Sequence, residues 1–425
     1  MINKIEAEYE YLADGEGNQA YYRTNKNAAN FKIARLDLDH LDQPAVDVIP
    51  EHPHNVLNRV YCVDGDKLLL IYLKDVKQSI EIRQISDGKP IRDFTVPIGS
   101  ITDVEAERDS SEFFFYFESF LTPGIIYHFD FKTMSELKVF KEIKLKGFDQ
   151  SDYLVKQVFY DAKNGITKVP MFIVHGKDLK LDGQNLNYLY AYGGFNVPIL
   201  PTFDVKNVLL VKHFKGVYAL ANVRGGGEYG TQWYQAGRLL NKQNTLDDIQ
   251  SAAEYLIQEK YTSTEFLVIE GISNGGTMMQ ICSNQRPDLF GCVITRVGPH
   301  DLLRYDKFTM CYLCQSDYGP TSSKMHFMNL YRMASFHNIP LKCERYANTL
   351  ILTADHDTRC VPSHSFKLAA HLQDKVGKRL TETPILLRTD IDAGHGDGKS
   401  TAKLIEEITD VYSFIQKSLK VKFFN

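Results

Sequence analysis

Two patterns of apolar and polar residues divide the chain. In the first part, short runs alternate apolar and polar positions and are broken by polar turns. Three segments repeat one order of strand, turn, strand, polar turn and strand. They are AYYRTNKNAANFKIARLDLD from Ala20, KLLLIYLKDVKQSIEIRQISDGK from Lys67 and EFFFYFESFLTPGIIYHFDFKT from Glu112, with starts 47 and 45 residues apart. That period suits propeller blades of four short strands, with a generic antiparallel sandwich as the competing architecture. Alternation in IYLKDVKQSIEIRQI and IIYHFDF fits strands with one buried face.

After Gly147 the period changes. Apolar runs that end in Gly-rich or polar turns (YLYAYGG, GVYALANVRGG, FLVIEGISNGG, TLILTADHD, PILLRTDIDAGHG) are separated by helical patterns. Two of these are TLDDIQSAAEYLIQEK, expected to start at a Thr or Asp cap, and EEITDVYSFIQKSL. Strands alternating with helices predict an α/β domain with a mostly parallel sheet. The expected division is a partial β-propeller over 1–146 and an α/β-hydrolase domain over 147–425. In such sheets, chemistry gathers at the carboxyl ends of the strands.

The turn with the clearest chemistry is Gly271-Ile272-Ser273-Asn274-Gly275, preceded by an apolar run and followed by a helical one. It matches the nucleophile elbow G-x-S-x-G in its strand–turn–helix context. A Ser that merely caps the helix is the structural alternative. A serine hydroxyl needs a base, and the base needs an orienting acid. The fold demands the chain order Ser, Asp, His. His395, between two glycines after the last strand-like run, is the candidate base. Asp355 and Asp357 both follow the run before it, and pattern alone leaves the acid open between them. An oxyanion needs two donors. The N–H of Asn274 is one candidate, and Tyr192 in AYGGFN, through its hydroxyl or a nearby backbone N–H, is the other.

Composition narrows the function classes. The chain has 425 residues, 44% hydrophobic and 24% charged, with a formal net charge of −4. That balance excludes the basic surplus of a nucleic-acid binder. No stretch of apolar residues is long enough for a membrane helix, and the polar, acidic N-terminal text has no signal-peptide pattern. The expected address is the cytosol. Seven Cys at irregular spacing point to reduced thiols, and the lone CxxC at Cys311–Cys314 is expected to be two ordinary thiols. No HExxH or GxxxxGK[ST] occurs, so no metal and no organic cofactor are expected. RGGGEYG lacks dinucleotide spacing and reads as a tight loop near the site.

Taken together, YLYAYGGFN, ANVRGGGEYGTQW, GISNGGTMMQICSNQRPDLFGCVI, LTADHDTRCVP and DAGHGDGKSTAK resemble the catalytic half of the prolyl oligopeptidase family. The similarity runs across nearly the whole chain. The resemblance implies a cytosolic serine peptidase that cleaves short peptides after proline, with a propeller capping a hydrolase domain. It assigns Ser273 as nucleophile, Asp357 as acid, His395 as base, and the Tyr192 hydroxyl with the Asn274 N–H as oxyanion donors. It also implies that Arg359 holds a substrate carbonyl and that Phe195 and Tyr318 line the specificity pocket.

Two departures follow from the same comparison. Where the family carries a Trp against the proline ring, this chain has Cys314, and its single Trp is Trp233. Pro299 stands where an aliphatic residue is usual, and Cys360 where Val is. A thiol buries far less area than an indole, so the expectation is hydrolysis with a weakened proline preference. Second, the resemblance begins in the middle of the propeller. The chain is therefore expected to hold about three blades, with exposed strand edges that promote association. A catalytically silent or esterase-like relative acting as a binding protein is the alternative function.

Overall fold

The computed structural model describes residues 6–133, 136–396 and 398–424. It divides into two compact units. The first runs through Gln150 and also takes in Leu200–Asp204 and Gly227–Trp233; the second holds the remainder.

The first unit contains three four-stranded antiparallel sheets. They are β1 (Tyr9–Gly15) to β4 (Val46–Ile49), with β2 (Gln19–Thr24) and β3 (Lys32–Asp37) between; β5 (Val56–Val63), β6 (Lys67–Lys74), β7 (Lys77–Gln84) and β8 (Pro90–Thr95); and β9 (Ser100–Ala106), β10 (Glu112–Ser119), β11 (Thr122–Asp130) and β12 (Lys138–Ile143). Each sheet is a plain meander of neighbouring strands. Each repeat seen in the sequence turns out to begin at the second strand of its blade. The first strands β1, β5 and β9 precede those starts and carry no repeat signal of their own.

Strand β6 explains why its text reads LLLIYL rather than alternating. Leu68, Leu70 and Tyr72 pack with Tyr21, Ile33 and Val60 on one side. Leu69 and Ile71 pack with Phe113, Phe115 and Ile101 on the other. A period of two sends successive side chains to opposite faces, so a strand buried on both faces loses its polar half.

The second unit is an eight-stranded sheet in the order β13-β14-β16-β15-β17-β18-β19-β20. These are β13 (Tyr153–Asp161), β14 (Lys168–Gly176), β15 (Asn187–Tyr190), β16 (Val217–Ala221), β17 (Leu267–Ile272), β18 (Cys292–Arg296), β19 (Asn348–Ala354) and β20 (Ile385–Asp390). The pairs β13–β14 and β14–β16 are antiparallel, and every other pair is parallel. Helices Val205–His213 and Thr401–Leu419 cover one face through Leu210, Val411 and Ile415, which pack on Val268, Ile294 and Leu350 of the sheet. The expected cap at the start of TLDDIQ is not used. The helix starts earlier, spans Gln243–Gln258 and has no side-chain cap. The Thr245 hydroxyl donates instead to the carbonyls of Arg224 and Gly237, a tertiary contact that outcompetes the local one. Among the described residues no helix is long and apolar enough to cross a membrane.

Candidate active site

Five strands of the second unit end at the same edge of the sheet, and each delivers one candidate group. Tyr192 follows β15, Ser273 follows β17, Pro299 follows β18, Asp357 follows β19 and His395 follows β20. Parallel strands make this unavoidable, since all their carboxyl ends lie on one side.

Ser273 occupies φ 56°, ψ −120°, a conformation that L-residues adopt only under constraint. Its N–H donates to the Arg296 carbonyl at 2.8 Å, and its carbonyl accepts from Thr277 N at 3.1 Å. The turn fits because its neighbours lack side chains. A Cβ on Gly271 would lie 2.3 Å from the Gly275 carbonyl carbon, and one on Gly275 would lie 2.8 Å from the Ala191 carbonyl oxygen. The Ser side chain makes no capping bond to the helix that follows, Asn274–Gln285, which removes the simple capping alternative.

Asp357 and His395 meet directly. His395 Nδ1 is 2.7 Å from Asp357 Oδ2, and the Asp357 side chain is fully buried. The other oxygen, Oδ1, accepts the backbone N–H groups of Arg359 at 2.8 Å and Cys360 at 2.7 Å. Asp355, the other acid left open by pattern, faces away: its Oδ1 lies 2.8 Å from His356 Nδ1. It also helps join the two loops, because Asp355 N donates to Asp390 O at 3.0 Å and His356 N to Ala393 O at 3.1 Å. Asp355, His356 and Asp392 are close enough to share an ion. They lie on the exposed side of these loops, where solvated charges gather without one.

Among the described residues there is no hydrogen bond between Ser273 and His395. The Ser273 Oγ instead meets the Cys360 thiol, with Sγ at 4.0 Å. Cys360 in turn lies 4.0 Å, sulfur to sulfur, from Cys311. All seven cysteines are free thiols.

Asn274 is clamped from both sides. Its Nδ2 donates to the Tyr192 carbonyl at 2.6 Å, and its Oδ1 accepts the Tyr318 hydroxyl at 2.8 Å. Its backbone N–H stands in the first turn of a helix, where the helix supplies no acceptor. Tyr192 has its hydroxyl pKa pushed up by burial and then by the nearby Asp317 carboxylate, so it remains a donor at neutral pH. Phe195 and Tyr318 meet edge to face at 6.2 Å, Cys314 is half-buried, and burial pushes the Tyr318 hydroxyl pKa well up. Arg359 is exposed, and Pro299 is buried in the segment after β18.

Sequence reasoning missed the support beneath this pocket. Lys242 and Asp317 form an ion pair at 2.8 Å, with side chains 1% and 0% exposed. Lys242 Nζ also donates to the Gly193 carbonyl at 2.9 Å, and Asp317 Oδ2 accepts the Phe195 N–H at 2.8 Å. The pair therefore fixes the loop that carries Tyr192 and Phe195, whose Phe195 and Asn196 have positive φ of 57° and 58°. Asp317 directly precedes the pocket residue Tyr318, but nothing in the sequence singled out Lys242, 75 residues away.

The family description "Prolyl oligopeptidase family" matches residues 201–422, and "Prolyl oligopeptidase, N-terminal beta-propeller domain" matches residues 1–142. The chain belongs to the prolyl oligopeptidase family. It is 37% identical to the prolyl endopeptidase of Dictyostelium discoideum, covering 99% of this chain and 56% of that protein. It is 39% identical to a prolyl oligopeptidase of Omphalotus olearius over 97% of this chain and 55% of that protein. One solved prolyl endopeptidase superposes with a TM-score of 0.92 at 36% identity, covering 99% of this chain and 60% of its own. Prolyl oligopeptidase B of Galerina marginata, bound to a 35mer hydrolysis and macrocyclization substrate, superposes at 0.93 with 31% identity, covering 99% of this chain and 59% of its own. The chain thus spans little more than half the length of these relatives.

Proposed function

We propose that the chain is a serine peptidase that hydrolyses short peptides through Ser273, His395 and Asp357. The observation that carries this reading is the 2.7 Å bond between His395 Nδ1 and the buried Asp357, beside a serine held in a strained elbow. In the proposed cycle, Ser273 Oγ attacks the scissile carbonyl and His395 Nε2 takes its proton. Asp357 holds the imidazole in the tautomer that leaves Nε2 free, and it stabilises the imidazolium that forms. The Asn274 N–H and the Tyr192 hydroxyl receive the oxyanion. The imidazolium then protonates the departing amine, and water repeats the sequence on the acyl-enzyme. Arg359 binds a substrate carbonyl, and Phe195, Tyr318, Cys314 and Pro299 line the specificity pocket.

Labelling with a fluorophosphonate probe tests the core of this reading. The native chain is expected to label and Ser273→Ala is expected not to. Absence of label on folded native protein would favour the catalytically silent reading. The missing Ser273–His395 hydrogen bond is the observation on that side, though such bonds often tighten only with substrate in place. An esterase-like activity would appear as turnover of acyl esters without turnover of peptides.

The pocket chemistry supports a weakened proline preference, because the thiol of Cys314 offers no flat face for a pyrrolidine ring. Turnover of Gly-Pro, Gly-Ala and Gly-Leu reporter peptides is expected to differ little, and a strong proline preference would overturn this part. The proposal also includes a cytosolic address and association through exposed blade strands. Val139, 57% exposed, and Phe140, 65% exposed, on β12 support the association, which sedimentation velocity would detect.

A further inference from the structure

We propose that Cys311, Cys314 and Cys360 form a modification site for peroxide oxidants, in which oxidation ends as a Cys311–Cys360 disulfide next to Ser273. The three thiols make one continuous run. Cys311 and Cys314 are the two ends of the one-turn helix Cys311–Cys314, and Cys311 Sγ lies 4.0 Å from Cys360 Sγ. Cys360 Sγ is also 4.0 Å from Ser273 Oγ. Among the described residues no other pair of sulfur atoms is in contact. Cys282 and Cys292 are buried, and Cys282 donates to the Leu246 carbonyl.

The run has an entrance and an end. Cys314 is half-buried, whereas Cys311 and Cys360 are buried, so an oxidant entering the pocket reaches Cys314 first. Cys311 is already docked on the segment that carries Cys360, since its thiol donates to the Arg359 carbonyl at 2.7 Å. A disulfide needs the sulfurs to approach by about 2 Å more, within reach of a χ1 change and a small backbone shift. Cys311 lies within a one-turn helix, Cys311–Cys314, at the surface of the unit. Cys360 lies in the loop after β19, where it is buried and its N–H donates to Asp357 Oδ1, so a shift there is passed to the acid.

The chemistry closes without further reagents. The Cys314 sulfur attacks the peroxide, whose O–O bond breaks; one oxygen stays as the sulfenic acid and the other leaves as an alcohol or water. The Cys311 sulfur then attacks Cys314, the S–O bond breaks, and hydroxide leaves as water with the Cys311 proton. Finally the Cys360 sulfur attacks Cys311 and displaces Cys314, which takes up the Cys360 proton. The net change is two thiols and one peroxide giving one disulfide, one alcohol or water, and one water.

The Cys314 side chain lowers the Cys311 thiol pKa, but the Cys360 contact and burial outweigh it and push that thiol up to about 12, and the Cys314 thiol, which meets the peroxide, is raised further by Cys311 and then by burial. Oxidation at neutral pH is accordingly slow, and mildly alkaline buffer is the condition for the assay. The consequence for Ser273 rests on the proposed hydrolase reading. The amides of Arg359 and Cys360 hold Asp357 Oδ1, so drawing Cys360 toward Cys311 moves the support of the acid.

The test uses the intact chain treated with hydrogen peroxide, alkylated, and mapped without reduction by mass spectrometry. The expected result is loss of two of the seven thiols and a cross-linked peptide joining Cys311 to Cys360, both reversed by dithiothreitol. Cys311→Ala is expected to give no cross-link. Full alkylation of all thiols after treatment, a linkage elsewhere, or a product that stays Cys311–Cys314 would each overturn the proposal. Fluorophosphonate labelling of Ser273 should fall with the cross-link and recover with reductant; unchanged labelling would overturn the coupling to the nucleophile. A native chain that never labels would sink the hydrolase reading, and the peptide map would still decide the disulfide.

Discussion

Replacing Lys242 with Met removes one half of the buried pair beneath the pocket while keeping most of its side-chain volume. In the native chain Lys242 Nζ serves two acceptors, Asp317 at 2.8 Å and the Gly193 carbonyl at 2.9 Å. The variant leaves a carboxylate and a carbonyl without that partner in a site that water hardly reaches. Breaking a buried ion pair in this one-sided way costs about 3–5 kcal/mol. Removing the charge from both sides, as in Lys242→Met with Asp317→Asn, should return much of that cost, since the neutral amide is cheaper to bury. The Asn can still accept the Phe195 N–H through its oxygen. Urea unfolding followed by circular dichroism measures both variants. A second readout, fluorophosphonate labelling at low denaturant, reports whether the Tyr192–Phe195 loop keeps its place. The reasoning fails if Lys242→Met costs less than about 1 kcal/mol, the level of an exposed pair, or if the double variant is the less stable of the two.

Other consequences can be checked separately. Ser273→Gly should melt higher than Ser273→Ala, by about 1–2 kcal/mol of strain relieved at φ 56°, with both unable to take the probe; equal stability would mean that the elbow is not strained. Asp357→Asn can keep one oxygen on the Arg359 and Cys360 amides while presenting an amide to His395. That favours the wrong tautomer, so labelling should slow by about 10⁴-fold, the known size for a triad acid; kinetics of probe labelling would show it, with stability little changed. Burial raises the Glu270 carboxyl pKa, but the charges of Arg296 and Lys206 more than offset it and hold it at about 2. A depressed folded value means that this stabilisation is complete above the unfolded value and fades as pH falls toward the folded one. The stability gap between native chain and Glu270→Gln should therefore shrink on acidification, which urea midpoints across that range would reveal.

How much of this could be read from residues alone follows from the range of the forces involved. The elbow was legible because its demands are local: only glycine fits at Gly271 and Gly275, where a Cβ would strike backbone, and the strand and helix patterns flank it directly. The blade repeat was legible through period-two alternation, and it faded where burial on both faces of β6 erased the polar half. Its edges were lost because the first strands of the blades lack a distinctive pattern. The start of the Gln243–Gln258 helix was misread because Thr245 spends its hydroxyl on carbonyls brought from elsewhere in the unit.

The sequence by itself determined the order of strands and helices, the turn at Ser273, and a short set of candidate acids and bases. It did so because these depend on side-chain size, period and neighbours along the chain. Only the tertiary structure decided which acid turns toward His395, that Lys242 and Asp317 meet under the pocket, and that the Cys360 thiol stands between Cys311 and the serine. Those contacts join residues far apart in sequence, and they exist because parallel strands bring their carboxyl ends to one edge, where geometry alone selects the partners.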